Sequence, residues 1–289
     1  MLSTVMQLYN EQARRAAEVI RDCTVPLFRR MGEWALDFEG SGVLLEVDSD
    51  HRFLISAAHV FEALADGVYL LASGREDLPL KNPARVVELA PGQKRVDDPV
   101  DVGYVRLTRD EAVALGENNF IRPHVLAPRD ASAFGGAYLA LGYPARDQER
   151  LARELLFKIT PMYYWGSGAK DVHYTRTRLD RRTHILIASD PKRVRGPNGA
   201  GGLASMSGVS GSGVWRFRVG DDYRPDNLPK LAGVFLGHPK EYPKAYVAAR
   251  IQFTIEQIRA DFPHLSSCLP TNLDVGVTFA SSDPRRRRV

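Results

Sequence analysis

Cysteine is scarce in this sequence: only Cys23 and Cys268 occur, near opposite ends of the 289-residue chain. Secreted domains that cannot build a large core rely on several disulfides, and two distant cysteines do not provide such a framework. They also lack the close spacing of a structural zinc site. Because 44% of the residues are hydrophobic, the sequence indicates a globular protein that is stabilised by an apolar core.

Long apolar runs are missing as well. No stretch approaches the roughly 20 apolar residues that a helix needs to cross a bilayer. The first positions soon meet Glu11, Arg14, Arg15 and Glu18, so they lack the apolar core of a signal peptide. From these absences we expect no membrane association and a cytoplasmic location.

A strong charge of one sign is also absent. The 39 lysines and arginines are nearly balanced by 35 aspartates and glutamates, which gives a formal net charge of +4. Part of the excess is the arginine run at residues 285–288. So small a bias does not favour nucleic-acid binding, and solvated loops explain the other basic clusters equally well. Those clusters contain Arg176, Arg178, Arg181, Arg182, Lys192, Arg193 and Arg195.

Two groups of short, strand-like segments make up much of the chain. Such segments are apolar, favour β-branched or aromatic residues and are bounded by turn residues. The first group lies at residues 42–47, 53–56, 68–71, 85–89 and 102–107. The second group lies at residues 137–141, 157–164, 184–188, 213–219, 231–236 and 246–249. This pattern predicts an all-β fold with two antiparallel barrels or sandwiches.

Helices are predicted near the two ends of the chain. Residues 4–23 have an amphipathic pattern that ends before Pro26, and residues 254–261 form a short helix that ends before Pro263. The order of these elements predicts the domain boundaries. They are an N-terminal helical extension (1–33), a first β-barrel (34–122), a connector (123–136), a second β-barrel with the C-terminal helix (137–265) and a flexible basic tail (266–289).

Three segments carry residues that suit one chemistry. An apolar strand runs into small residues and then into His59, whose ring other groups can therefore approach. Asp101 opens an apolar strand that draws its carboxylate inward, and a buried carboxylate needs a donor such as a histidine N–H. Ser210 lies between glycines that permit a tight turn, in which backbone N–H groups can converge on an anion.

Each of these signals has a simpler explanation when it is taken alone. A single histidine is usually packed or capping, an aspartate before a strand usually stabilises a turn, and a glycine- and serine-rich run is often a linker. Their order along the chain, His59, Asp101 and then Ser210, is one of the convergent orders of a serine-peptidase triad. That order excludes the subtilisin and α/β-hydrolase arrangements.

These segments resemble the motifs of trypsin-like (chymotrypsin-fold) serine peptidases. Residues 56–59 resemble the Thr-Ala-Ala-His block, and residues 101–105 resemble the Asp-Ile-Ala-Leu-Leu block. Residues 208–213 are similar to Gly-Asn-Ser-Gly-Ser-Pro of bacterial glutamyl endopeptidases. Residues 40–43 and 141–144 match two further segments, Gly-Ser-Gly-Phe and Gly-Tyr-Pro. The resemblance covers most of the chain and implies two six-stranded antiparallel β-barrels with the active site between them.

The resemblance also implies a reaction. His59, Asp101 and Ser210 would form the catalytic triad of a serine endopeptidase, and the backbone N–H groups of Gly208 and Ser210 would form its oxyanion hole. The substrate would be a protein or peptide, and this chemistry requires no cofactor and no metal. Val209 stands where pancreatic-type members have the aspartate that captures a newly cut N-terminus. We therefore expect no zymogen switch of that kind.

The primary specificity pocket is predicted with alternatives. The resemblance places Ala204, and beside it Ser205, near the base of the pocket, where no negative charge would attract arginine or lysine. His238 either lines the pocket and binds an acidic side chain or is a surface histidine before Pro239. Tyr246 would partly block the pocket and favour small residues. The sequence does not choose among these alternatives.

Other functions compete with the peptidase. The main alternative is a protease-like module that binds peptides or a partner without turnover. The glycines between residues 196 and 213 lack the Gly-Lys-Ser/Thr sequence of a nucleotide-binding loop. A zinc site at His173 and His184 lacks further ligands in register. The N-terminal helix either docks a regulatory protein partner or packs on a barrel.

Overall fold

Two antiparallel sheets dominate the molecule, and short helices occupy several connections between their strands. The structure is a computed structural model. It describes residues 2–31, 35–71, 77–89, 92–95, 98, 100–127, 137–145, 161–188, 194–195, 206–239, 242 and 245–271.

The first sheet is formed by the N-terminal part of the chain. Its strands are β1 (Thr24–Met31), β2 (Ala35–Asp48), β3 (His51–Ser56), β4 (Tyr69–Leu71), β5 (Asp77–Pro79), β6 (Arg85–Val86) and β7 (Gly103–Leu107). They lie in the order β5-β4-β1-β2-β3-β7-β6, with antiparallel pairing between neighbours. β3 is buried from Phe53 to Ser56, so its C-terminal end, which leads to His59, is anchored in the core.

The second sheet has the same antiparallel character. Its strands are β8 (Ala137–Gly142), β9 (Met162–Ser167), β10 (His184–Ala188), β11 (Val194–Arg195), β12 (Gly213–Phe217), β13 (Lys230–Gly237) and β14 (Ala245–Arg250). They lie in the order β10-β14-β13-β12-β8-β9-β11. All residues of β8 and β14 are buried, so both faces of these strands pack against other parts of the protein.

Helices border the two sheets. They are α1 (Leu2–Ile20), α2 (Ala58–Ala63), α3 (Arg109–Leu115), α4 (Asp171–Thr177) and α5 (Ile251–Asp261). α3 begins with a capping box in which the Thr108 hydroxyl and the Glu111 carboxylate each accept the other residue's backbone N–H. Within the described ranges, no helix is both long and apolar enough to cross a membrane.

The N-terminal helix α1 packs on the second sheet. Tyr9 stacks on Trp165 of β9 with ring centroids 5.4 Å apart, and the Trp165 indole N–H donates to Asn10 Oδ1 at 2.9 Å. Ala13 and Ala16 are fully buried, because small side chains let the helix approach the sheet closely. This contact accounts for the buried part of the apolar face of α1, whereas Val5 and Leu8 of the same helix are exposed. Docking of a regulatory partner stays a prediction.

The predicted all-β fold with two antiparallel barrels, an N-terminal helix and a short C-terminal helix is confirmed. Among the residues that the structure describes, each sheet has seven strands rather than six, because strands of two or three residues extend the edges. The sequence missed β1, which lies inside the segment that was assigned to the helical extension. Pro26 pairs with Ser41 of β2, and β1 meets β4 only at Phe28. Pro26 therefore interrupts no second ladder.

Several predicted features fall outside the described residues. They include residue 34, at which the predicted first barrel begins, most of the connector (128–136) and most of the basic tail (272–289) with its arginine run. The beginning of the strand that was expected at 157–164 also lies outside them, and the described strand β9 begins at Met162. The predicted domain boundaries at these segments stay predictions.

Candidate active site

His59 and Asp101 are brought together by the pairing of β3 with β7. Ser56 at the end of β3 pairs with Gly103 at the start of β7, so the residues just after β3 lie beside those just before β7. One carboxylate oxygen of Asp101 accepts the backbone N–H of His59 at 2.8 Å. The other oxygen contacts His59 Nδ1. The carboxylate therefore fixes both the backbone and the ring of His59.

The side chains of Asp101 and His59 differ in their exposure to solvent. The Asp101 side chain is 10% exposed, whereas the His59 side chain is 37% exposed. The carboxylate is thus held inside the protein by hydrogen bonds, while part of the imidazole ring faces solvent. An imidazole whose Nδ1 is held by a carboxylate presents Nε2 to other groups.

The side chain of Asp98 stabilises the turn that precedes Asp101. Asp98 Oδ1 accepts the backbone N–H of Val100 at 2.8 Å, and Asp98 Oδ2 accepts from Arg95 at 2.5 Å. Burial raises the pKa of Asp98 above its ordinary value, although the bonds from Val100 and Arg95 act in the opposite direction. The two bonds that Asp98 accepts therefore stabilise this turn.

The turn around Ser210 requires glycine on both sides. Gly208 and Gly211 have positive φ angles of 87° and 84°, which side chains with a Cβ rarely adopt. A Cβ on Gly208 would lie 2.3 Å from Phe38 Cε1, and one on Gly211 would lie 1.9 Å from Ser56 Oγ. Both backbone conformation and close packing therefore explain the glycines that the sequence singled out.

The same turn leaves two backbone N–H groups available. Val209 N–H donates to Met206 O at 3.1 Å, and Ser212 N–H donates to Val209 O at 3.0 Å. Among the residues that the structure describes, the N–H groups of Gly208 and Ser210 have no acceptor. Donors of this kind in a tight turn can bind an anionic oxygen.

Two buried serines connect this turn to the first sheet. The Ser41 hydroxyl donates to Gly208 O at 2.9 Å and accepts the Tyr143 N–H at 3.0 Å. The Ser56 hydroxyl donates to Ser41 O at 2.8 Å. Ser41 and Ser56 are fully buried, so this network ties β2 and β3 to the turn that carries Ser210. The sequence flagged both positions by their motifs, but it did not reveal these bonds.

The Ser210 turn lies against the segment that leads to His59. Ser41 N–H donates to Ser210 O at 2.9 Å. A Cβ on Gly211 would lie 3.0 Å from the backbone N of Ala57, two residues before His59. The structure therefore brings the segments of all three predicted triad residues to one place between the two sheets.

The Ser210 hydroxyl has a partner on β13. It donates to the backbone carbonyl of Leu236 at 3.3 Å, a long and therefore weak hydrogen bond. The neighbouring Gly211 N–H donates to Phe235 O at 2.8 Å. The Phe235 N–H in turn donates to Ser212 O at 2.8 Å. β13 thus fixes the turn through two short backbone bonds, and it holds the hydroxyl through a weaker one. The Leu236 carbonyl gave no signal in the sequence.

Two of the predicted specificity residues contact each other near β13. The rings of His238 and Tyr246 have centroids 4.4 Å apart, and His238 Nδ1 lies 3.0 Å from Ala245 O. Tyr246 is buried and also packs against Phe235 and Tyr164. The other two specificity residues, at positions 204 and 205, lie outside the described residues.

The resemblance to serine peptidases implied a reaction that requires neither a cofactor nor a metal ion. Within the described part of the chain, no group of three or more His, Cys, Asp or Glu side chains is arranged to hold a metal ion. His184, one member of the zinc alternative, is buried with Nδ1 2.7 Å from the Thr183 hydroxyl. The ring of His173, the other member, packs against Tyr242.

Comparison with known proteins supports the fold through structure rather than through sequence. No protein-family model and no curated protein matches the sequence at a significant level. The VesB protease of Vibrio cholerae superposes with a TM-score of 0.51 at 13% identity, and the match covers 83% of this chain and 63% of that chain.

Two other solved proteases match less well. A serine endoprotease from Yersinia pestis has a TM-score of 0.47 at 12% identity, with 86% of this chain and 65% of that chain covered. A Glu endopeptidase has a TM-score of 0.47 at 11% identity, with coverages of 82% and 86%. This chain therefore spans less than two thirds of the length of the Yersinia and Vibrio proteins.

The likeness to VesB protease shows the fold, and it agrees with the two antiparallel sheets. The resemblance to trypsin-like, chymotrypsin-fold serine peptidases that the sequence motifs indicated is confirmed at the level of the fold.

Proposed function

On this trypsin-like fold, we propose that the chain is a serine endopeptidase that hydrolyses peptide bonds through an acyl-enzyme. The observation that carries the proposal is the double contact of Asp101 with His59, next to the turn that presents Ser210. A buried carboxylate, a partly exposed imidazole and a glycine-flanked serine are the three parts that acyl transfer to serine requires.

The proposed reaction assigns one role to each residue. Ser210 Oγ attacks the carbonyl carbon of the scissile peptide while His59 Nε2 takes the hydroxyl proton. The imidazolium then gives that proton to the leaving amine, so that an ester to Ser210 remains. Water hydrolyses the ester by the same two proton transfers. Asp101 accepts from Nδ1–H throughout, which fixes the tautomer and stabilises the imidazolium without becoming protonated.

The backbone N–H groups of Gly208 and Ser210 form the proposed oxyanion hole. Each donor of this kind contributes on the order of 3 kcal/mol to transition-state stabilisation. The support is that the positive φ angles of Gly208 and Gly211 shape the turn, and that the two N–H groups have no acceptor among the described residues. A hole that forms before substrate binds costs no reorganisation during the reaction.

The resting position of the Ser210 hydroxyl calls for one adjustment before attack. It donates to the Leu236 carbonyl at 3.3 Å, and the bond must be exchanged for one to His59. Rotation about the Cα–Cβ bond moves a serine hydroxyl between staggered positions. Because the bond to Leu236 is long, little stabilisation is lost when the hydroxyl turns.

For the substrate, we propose a protein or peptide with a small, uncharged side chain before the scissile bond. The support is the buried ring of Tyr246 and its contact with His238, which fill space in the region that the resemblance assigns to the primary pocket. Cleavage-site profiling on a peptide library tests this proposal. The variant Tyr246→Ala should accept larger residues, and unchanged profiles would contradict the assignment.

A fluorophosphonate probe tests the proposed function itself. The probe reacts with an activated serine, so the parent protein should be labelled and should cleave peptides, whereas Ser210→Ala should do neither. The matched control is Ser212→Ala, which removes a neighbouring hydroxyl and should keep both properties. Labelling that persists in Ser210→Ala would refute the assignment of the nucleophile.

The alternative is a peptide- or partner-binding module without turnover. One observation favours it: the Ser210 hydroxyl is bonded to Leu236 rather than to the His59 ring. If the parent protein binds a peptide but is neither labelled nor active, this alternative replaces the endopeptidase. If the parent is labelled and cleaves peptides, the bond to Leu236 is only the resting position of the hydroxyl.

A further inference from the structure

Two histidines outside the proposed active site meet at the opposite end of β3. His51 is the first residue of β3, and His264 lies in the single 3₁₀ turn (Pro263–Leu265) that follows α5. Their Nε2 atoms are 3.1 Å apart, with ring centroids 4.8 Å apart and ring planes at 59°. The length of β3 separates this pair from the proposed catalytic residues by about 17 Å of strand.

Asp48 sets the tautomer of His51. Asp48 Oδ1 lies 2.8 Å from His51 Nδ1 and accepts the backbone N–H of Asp50 at 2.9 Å. The ionised carboxylate accepts from Nδ1–H, and the lone pair of His51 Nε2 therefore faces His264.

The spacing of the two Nε2 atoms matches that of two ligands of one metal ion. Imidazole nitrogens bind Zn²⁺ at 2.0–2.1 Å, so two of them lie about 3.3 Å apart at a tetrahedral angle and about 2.9 Å apart at a right angle. The observed separation of 3.1 Å lies between these values. We propose that His51 and His264 bind one Zn²⁺ ion through their Nε2 atoms, with water completing the coordination.

The protons balance in this step. In the metal-free pair, one Nε2–H is shared with the other Nε2, which explains their close approach. When Zn²⁺ binds, His264 changes tautomer: its Nε2 loses the proton to solvent and its Nδ1 takes one up, so the ring stays neutral, while His51 keeps its Nδ1–H on Asp48. The arrangement in which a carboxylate accepts from a metal-binding histidine is common in zinc sites and raises the affinity for the metal.

The surroundings hold the two rings in place. Phe262 meets both in edge contacts, with centroids 5.9 Å from His51 and 6.2 Å from His264. Leu265, the residue that follows His264, is buried. An ion at this position fastens the segment that follows α5 to the start of β3, so the site stabilises the fold and takes no part in the proposed reaction.

Zinc titration of the full chain tests this site. Because the exposed Cys268 can also bind Zn²⁺, the titration is done in a Cys268→Ser background by calorimetry, with the melting temperature as a second readout. We expect one ion per chain and a higher melting temperature with Zn²⁺. Replacing His51 or His264 by alanine should weaken binding at least tenfold, and Asp48→Asn should weaken it about tenfold.

His124 provides a matched control, because it also follows a proline in a 3₁₀ turn (Pro123–Val125). His124→Ala should leave Zn²⁺ binding unchanged. A measurement without histidine variants covers the case in which those variants fail to fold. Cu²⁺ bound to the Cys268→Ser protein should show nitrogen hyperfine coupling from two imidazoles in its electron paramagnetic resonance spectrum.

Two results would overturn the site. One is Zn²⁺ binding that is equally tight after His264→Ala. The other is a Cu²⁺ spectrum with coupling from one imidazole or none. The proposal does not depend on the proposed peptidase activity, because none of these measurements uses turnover.

Discussion

The hydroxyl of Ser41 should contribute more to stability than any neighbouring serine hydroxyl, and Ser41→Ala tests this. The hydroxyl donates to Gly208 O at 2.9 Å and accepts from Tyr143 N–H at 3.0 Å, and Ser41 is fully buried. Alanine would leave both backbone groups without this partner. Each such group costs about 1–3 kcal/mol, so we expect a loss of roughly 3 kcal/mol in the free energy of unfolding.

Ser212 offers a matched control in the same turn. It is also fully buried, but its hydroxyl has no hydrogen-bond partner among the described residues. Ser212→Ala removes an unsatisfied polar atom, so we expect stability to be unchanged or to rise by up to about 1 kcal/mol. The two variants make the same chemical change, a serine hydroxyl to hydrogen, and they differ in the bonds that are lost.

Thermal unfolding followed by circular dichroism measures the difference. A loss of 3 kcal/mol corresponds to a fall in Tm of about 6–12 °C, whereas Ser212→Ala should move Tm little. Equal melting temperatures for the two variants would refute the reasoning, because they would show that the bonds to Gly208 and Tyr143 add nothing.

A second readout concerns the proposed active site. The bond from Ser41 fixes the carbonyl of Gly208, whose N–H we assign to the oxyanion hole. A displacement of about 1 Å in a catalytic group can lower a rate about 100-fold. We therefore expect Ser41→Ala to be labelled by a fluorophosphonate at least tenfold more slowly than Ser212→Ala. The rates are compared at a temperature at which both variants are folded. Equal labelling rates would remove Ser41 from the positioning role and leave its effect on stability intact.

Two further predictions follow from backbone geometry and from burial. Gly208→Ala adds a Cβ at a φ of 87° and 2.3 Å from a Phe38 ring carbon. Because the turn must then change shape, the rate of peptide cleavage should fall at least 100-fold. A rate close to that of the parent would contradict the assigned turn. Complete burial raises the pKa of the Cys23 thiol to about 12, whereas Cys268 is exposed. An aromatic disulfide reagent at pH 8 should therefore modify one thiol per native chain and both in denaturant, and rapid loss of both in the native protein would contradict it.

The strand-rich segments and the candidate catalytic residues could be predicted from the sequence because they depend on local patterns. Short apolar segments bounded by turn residues predicted the two β-rich halves, and the order of His59, Asp101 and Ser210 predicted their association. The glycines around Ser210 predicted a tight turn, which the positive φ angles of Gly208 and Gly211 confirm. Each of these signals is carried by neighbours along the chain.

β1 was missed because its strand character is not local. Pro26 interrupts the pattern, and it is tolerated only because of where β4 meets β1. The pairing of Ser41 with Gly208 and of Ser210 with Leu236 joins positions that are remote in sequence. No periodic pattern in the sequence indicates such contacts. The motifs therefore identified these serines, but their hydrogen-bond partners could not be predicted.

The sequence by itself determined which side chains are able to react, since the identity of a histidine, an aspartate or a serine is fixed before folding. The tertiary structure decided which of them meet. The pairing of β3 with β7 puts Asp101 on His59, and the contact between the two sheets puts the Ser210 turn beside them. It also joined His51 to His264, which no spacing along the chain indicates. The physical reason is that hydrogen bonds and metal ligands act over about 3 Å, whatever the distance along the chain.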